Sequence, residues 1–168
     1  MLNFFYNSRL VILICIFVTL PIYTFSLPNL KKNILPLTHY EKWCVKQTCF
    51  KLEVAQSYKK KKKGLMYRRS LAPDSGMIFK WKKEGIRKMW MKNTYISLDI
   101  LWINNDYEIV HIIESTKTNN TNILSSPHPA KYVIELPANT VKRYKILKEN
   151  TFKNSLPQQS HQSLPNTL

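Results

Sequence analysis

Only three of the 168 residues are glycine. A backbone that cradles phosphate needs glycines close together, since side chains block the approach. Gly64, Gly76 and Gly85 stand apart, which excludes a Gly-rich nucleotide loop. Acidic residues are also scarce: ten Asp and Glu against 26 Lys and Arg, a formal charge of +16. Cysteines number three and histidines four. Cys44 and Cys49 have no second Cys or His pair to complete a zinc site. His39, His111, His128 and His161 are scattered. No Ser, His and Asp spacing makes a nucleophile elbow. The sequence therefore calls for neither a metal nor a cofactor.

The chain does have apolar surface, 44% of residues with 12% aromatic. That supports a packed core, and the length suits one domain. The only long apolar run is Leu10–Leu20, LVILICIFVTL, with Arg9 just before it. Small residues follow at Thr24 and Ser26. A positive flank, an apolar stretch and a small-x-small site make a secretory signal peptide. Even extended to Ser26, the uncharged run reaches only the low end of what a bilayer of about 30 Å requires. Residues 1–26 are read as a signal peptide, with a membrane anchor through residues 10–26 as the alternative. The expected location is periplasmic or extracellular. In an oxidising compartment Cys44 and Cys49 become candidates for a disulfide, against two free thiols. Export also removes the positive charge from DNA and RNA, so no nucleic-acid partner is expected. An anionic membrane surface or a small anionic ligand remains, beside the plain alternative of lysines filling solvated positions.

Residues 27–47 open with two prolines in LPNLKKNILPLTHY and read as a linker. TCFKLEVA, Thr48–Ala55, alternates apolar and charged residues as a half-buried strand does. Gln56–Arg68 reads as a short helix, and Ala72–Gly76 as a turn. Further strands are expected over Met77–Trp81, Lys88–Met91, Leu98–Ile103, Tyr107–Ile113 and Lys131–Leu136, with a small one near Phe152. Asn104-Asn105-Asp106 marks a hairpin. Glu114–Pro129 is polar and reads as a loop, and Thr140–Lys148 as a helix. Residues 48–153 then form a mainly β domain, a small barrel or sandwich with one or two short helices packed on it. Residues 154–168, rich in Gln, Ser and Pro, read as a disordered tail.

GLMYRRSLAPDSGMIF from Gly64, MWMKNTYISLDILWI from Met89, YVIELP from Tyr132 and FKLEVA from Phe50 occur in that order. Together they resemble the domain of unknown function 192 family, over about Phe50–Phe152. The resemblance implies a compact β barrel or sandwich with a helix against it, in proteins that are commonly exported. The family's name leaves its biochemical role open. This chain departs from the pattern at two turns. Ala138-Asn139 stands where Ala-Gly is usual, and Glu149-Asn150 where Gly-Asp is usual. The final hairpin is thus the least supported part of the resemblance.

Three acids, Glu53, Asp99 and Glu135, fall inside strands, where a charge is costly to bury unpaired. Arg68 and Lys92 are the motif cations that could pair with them. Asn93 and Thr94 can satisfy backbone groups at a turn. One reading is a buried polar network that sets strand register. The other is a pocket: Arg68 or Lys92 holds an anion, Asn93 assists, and Asp99 or Glu135 orients it or acts as a base. The function classes that follow are a non-enzymatic binding or accessory domain of the envelope, and an envelope enzyme, hydrolytic in type, with Asp99 or Glu135 as base. Trp81, Trp90 and Trp102 and Met66, Met77, Met89 and Met91 read as core. Lys59–Lys63 step about 100° apart on a helix and so surround it without forming a stripe. They fit a solvated helix or attachment to an anionic lipid surface.

Overall fold

Alternating burial along short strands organises the domain. The computed structural model describes residues 38–154. The expected signal peptide, its anchor alternative and nearly all of the expected tail lie outside that range.

The first strand, β1 (Tyr40–Val45), corrects the expected linker. Trp43 and Val45 point inward and are buried, while Tyr40 is exposed. The strand pattern there is only a few residues long and follows a proline-rich stretch, which hides it. A two-residue turn at Lys46-Gln47, with Lys46 at φ 52°, leads into β2 (Thr48–Ala55). Cys44 and Cys49 are directly opposed across this hairpin and are joined by a disulfide.

Helix α1 (Tyr58–Lys63) is shorter than its sequence pattern. Ser57 caps it by accepting from the Lys60 amide at 3.3 Å. Gly64, at φ +49°, ends it and donates to the Lys60 carbonyl at 2.9 Å. Next come β3 (Ser75–Gly85), β4 (Lys88–Met89), β5 (Leu98–Ile103) and β6 (Ile109–Ile113). The polar stretch after β6 contains a two-residue strand, β7 (Leu124–Ser125), paired with β4. The chain continues through β8 (Ala130–Pro137), helix α2 (Thr140–Tyr144) and β9 (Phe152–Asn154).

Seven strands form one sheet in the order β6-β5-β8-β3-β2-β1-β9, parallel only between β2 and β3. Gly76 is required where β3 meets β8: a Cβ there would lie 2.3 Å from the Glu135 carbonyl oxygen. The sheet curls until its ends meet. The Phe152 amide donates to the Tyr107 carbonyl at 2.9 Å, and Glu108 bridges Thr151.

The inner face holds Trp43, Phe50, Leu52, Ile78, Leu101, Ile134, Leu136 and Phe152. The outer face holds Met77, Phe79, Ile100, Trp102 and Val133 under Leu65, Met89 and Met91. Every residue of β5 is buried because both of its faces are covered. Mainly β with two short helices is the fold observed among the described residues.

The unusual turns retain their geometry. Asn139 takes φ 66° before α2, the left-handed conformation that glycine usually supplies. Asn150 accepts from the Leu147 amide at 2.8 Å and leads into β9. In the β5–β6 hairpin, Asn104 Oδ1 accepts from the Asp106 and Glu108 amides. The left-handed residue there is Tyr107 (φ 65°), whose ring stacks on Tyr132 at 5.6 Å between centroids.

Candidate ligand-binding site

Strand register decides which motif residues meet. Glu53, Met77, Glu135 and Ile100 are partners in one row across β2, β3, β8 and β5. One residue along, Leu52 is the partner of Gly76, and Leu136 of Asp99. Side chains alternate faces along a strand, so Glu135 and Asp99 lie on opposite faces. They share no pocket.

Asp99 is fully buried on the inner face. Its Oδ1 accepts from the Ser115 amide and its Oδ2 from the Val141 amide, both at 2.8 Å. Both carboxylate oxygens thus hold backbone: one the chain leaving β6, the other the first turn of α2. That is a structural task, and it leaves Asp99 facing neither a cleft nor a cation.

Glu135 is different. It is 4% exposed, and its Oε2 is buried without a hydrogen-bond partner among the described residues. Burial pushes its pKa up to about 8, against a smaller downward pull from Arg68. Arg68 itself donates from Nη2 to Glu53 Oε2. Glu53, Arg68 and Glu135 therefore form a neighbourhood on the outer face, with the salt bridge at its rim and the lone acid beneath. Gly64 lies over that acid: a Cβ there would stand 4.0 Å from Glu135 Oε2 and 3.4 Å from Phe79 Cζ.

A slot of about 20 Å³ reaches Glu135 between Lys61–Met66, Met89, Trp90 and Thr94. It has room for about one water-sized group. Lys62, Lys63, Met66 and Trp90 also line a wider groove of about 470 Å³, with Lys59, Lys92, Tyr58 and Tyr67. Among the described residues, no acidic side chain lines the groove.

Lys59, Lys62 and Lys63 are spaced i, i+3 and i+4, which brings them to one side of the helix. The five lysines are thus sorted rather than spread evenly around it. Lys61 turns toward β3, donates to the Lys80 carbonyl at 2.9 Å and sits 4.7 Å above the Trp81 ring. Lys92 Nζ is 5.8 Å from the Trp90 ring centroid. Asn93, at φ 54°, builds the groove wall. Its amide nitrogen donates to the Tyr67 hydroxyl at 2.9 Å, and its carbonyl accepts from the Tyr67 amide at 2.8 Å.

Of the residues singled out in the sequence, Lys92 and Asn93 line the groove, Glu135 forms the slot floor and Arg68 flanks it. Asp99 stands apart. Sequence reasoning missed Trp90, Tyr58 and Tyr67 as lining, having read Trp90 as core. The available signal was the lysine spacing in α1 beside the Trp90–Lys92 pair. Among the described residues, no group of three or more His, Cys, Asp and Glu could hold a metal ion.

The model of one protein family matches residues 42–153, spanning the nine described strands except the first two residues of β1 and the last of β9. The chain belongs to the DUF192 family. That family is described as Uncharacterized ACR. A "putative transcription regulator" from Sinorhizobium meliloti 1021 is similar at 34% identity and a TM-score of 0.68. The match covers 70% of this chain and 95% of that one. A protein of unknown function from Novosphingobium aromaticivorans DSM 12444 shares the DUF192 fold at 24% identity and a TM-score of 0.68, covering 71% and 89%. No curated relative matches the chain.

Proposed function

We propose that this DUF192 protein is a non-enzymatic binding domain for a small organic anion, delivered outside the cytoplasm by residues 1–26. One observation carries the reading. Lys59, Lys62, Lys63 and Lys92 converge on a groove with Trp90 and two tyrosines in its walls and no acid among them. Cations and aromatic surface suit a ligand with a charged group on a planar or apolar body. The apolar N-terminal run and the Cys44–Cys49 disulfide support export.

Anilinonaphthalene sulfonate is a suitable probe, being a fixed anion on an aromatic body. Titration should saturate at one site. Trp90→Ala should weaken binding at least tenfold, and Lys62→Glu combined with Lys63→Glu should do the same. Weak, non-saturating binding that ignores all three changes would reject the proposal. If instead the lysine variant alone loses sedimentation with phosphatidylglycerol vesicles, and the sulfonate does not compete, the lysines serve a lipid surface. Displacement of the probe by duplex DNA at physiological salt would favour a role like that named for the Sinorhizobium relative.

An enzymatic reading retains one specific support, the raised pKa of Glu135 beside the groove. Asp99 cannot serve as the base, since both of its oxygens already accept from backbone amides. Turnover of an anionic ester, lost in Glu135→Gln with the fold intact, would establish that reading.

A further inference from the structure

We infer that the slot beneath α1 receives one acceptor oxygen of the ligand, and that Glu135 binds this oxygen as a neutral acid by donating a hydrogen bond. The inference rests on the groove proposal above and names the part of the ligand that goes deepest.

Three observations carry it. The slot and the groove share Lys62, Lys63, Met66 and Trp90, so a ligand in the groove can extend one small group inward. Glu135 lines that slot with a buried Oε2 that has no hydrogen-bond partner among the described residues. A buried polar atom of this kind is costly unless a partner comes to it. Finally, the slot is only about 20 Å³, which limits the entering group to a single heavy atom or so.

The surrounding charges choose between an acceptor and a donor. Lys61, Lys62 and Lys63 border the slot on the α1 side. Arg68 flanks Glu135 and is paired with Glu53 on β2. An ammonium group entering here would meet this cluster of cations. An oxygen of a carboxylate, sulfonate or phosphoryl group is attracted by the same cluster. It would be repelled by an ionised Glu135 and welcomed by a protonated one. The ligand is therefore an organic oxyanion with one oxygen narrow enough to pass Trp90 and Met66.

The experiment is a pH series of sulfonate titrations on the full chain, since the sulfonate keeps its charge throughout. Affinity should fall about tenfold between pH 7 and pH 9 as Glu135 ionises around its pKa of about 8. Glu135→Gln keeps a donor in place and cannot ionise. It should show a flat profile from pH 7 to pH 9. Burial lowers the pKa of Lys61, so Lys61→Gln is the control, and it should retain the slope. Saturable binding with a flat wild-type profile would overturn the inference and leave the groove proposal standing. So would a slope that persists in Glu135→Gln or vanishes in Lys61→Gln. Absence of saturable binding at pH 7 would overturn both.

Discussion

At the scale of single residues, two buried acids with the same sequence signature do different work. Each sits in a strand of a chain poor in carboxylates, which is why both stand out in the sequence. Neither strand alone reveals that they face opposite ways; that needs the β5–β8 register of Ile100 with Glu135 and Asp99 with Leu136. Asp99 has its partners. Asp99→Ala would leave the Ser115 and Val141 amides without the oxygens they now meet. It should cost about 2–4 kcal/mol in chemical denaturation and speed hydrogen exchange at Val141.

Glu135 Oε2 has no hydrogen-bond partner among the described residues, and burial raises the Glu135 pKa in the folded state from 4.5 to about 8. The folded protein therefore binds more protons than the unfolded chain between those values. The contribution to stability is fully present below about pH 4.5 and is lost as pH rises through about 8, on the order of a few kcal/mol in total. The melting temperature should decline from pH 5 to pH 9 by this contribution, and Glu135→Gln should remove most of the decline. An unchanged decline in the variant would assign it to other groups.

At the scale of elements, legibility followed the local pattern. Thr48–Ala55 and Leu98–Ile103 were readable to the residue, the first from its alternation and the second from its apolar run. The strand β1 was not, because two inward residues, Trp43 and Val45, make too short a pattern beside a proline-rich stretch. The lysine run was legible as helix but not as a sorted surface. Its sorting depends on β3, where the Lys80 carbonyl and the Trp81 ring, nineteen and twenty residues on, engage Lys61.

The β1–β2 hairpin also makes a measurable claim. Its disulfide joins residues only five apart, so it closes a small loop and removes little entropy from the unfolded chain. Cys44→Ser with Cys49→Ser should cost about 2 kcal/mol, and a reductant should lower the wild-type melting point by a matching amount. A much larger loss would mean that the bridge organises more than its own hairpin.

At the scale of the whole molecule, the sheet separates two kinds of packing. The inner face is a closed apolar core, sealed where β9 meets the start of β6. The outer face is covered in pieces by α1, the Gly64–Leu71 segment and the β4–β7 pair. The groove and slot lie in that outer covering, so the candidate site occupies the less continuous layer of the protein. This fits the division between what the sequence could and could not reveal. The curled sheet comes from periodicity within strands, whereas the site comes from distant segments laid on its outside.

The two layers should also respond separately to mutation. Phe152 is fully buried in the inner core and is not among the residues that line the groove. Phe152→Ala should cost about 3–5 kcal/mol of stability and leave the Kd for the sulfonate within about twofold, as distant uncoupled sites require. Leu65 is buried in the outer layer and borders the slot. Leu65→Ala should cost about 2–4 kcal/mol and also weaken the probe several-fold, because the backbone over Glu135 loses its anchor. Equal effects of the two changes on Kd, measured below the onset of unfolding, would show that the sheet transmits rather than separates.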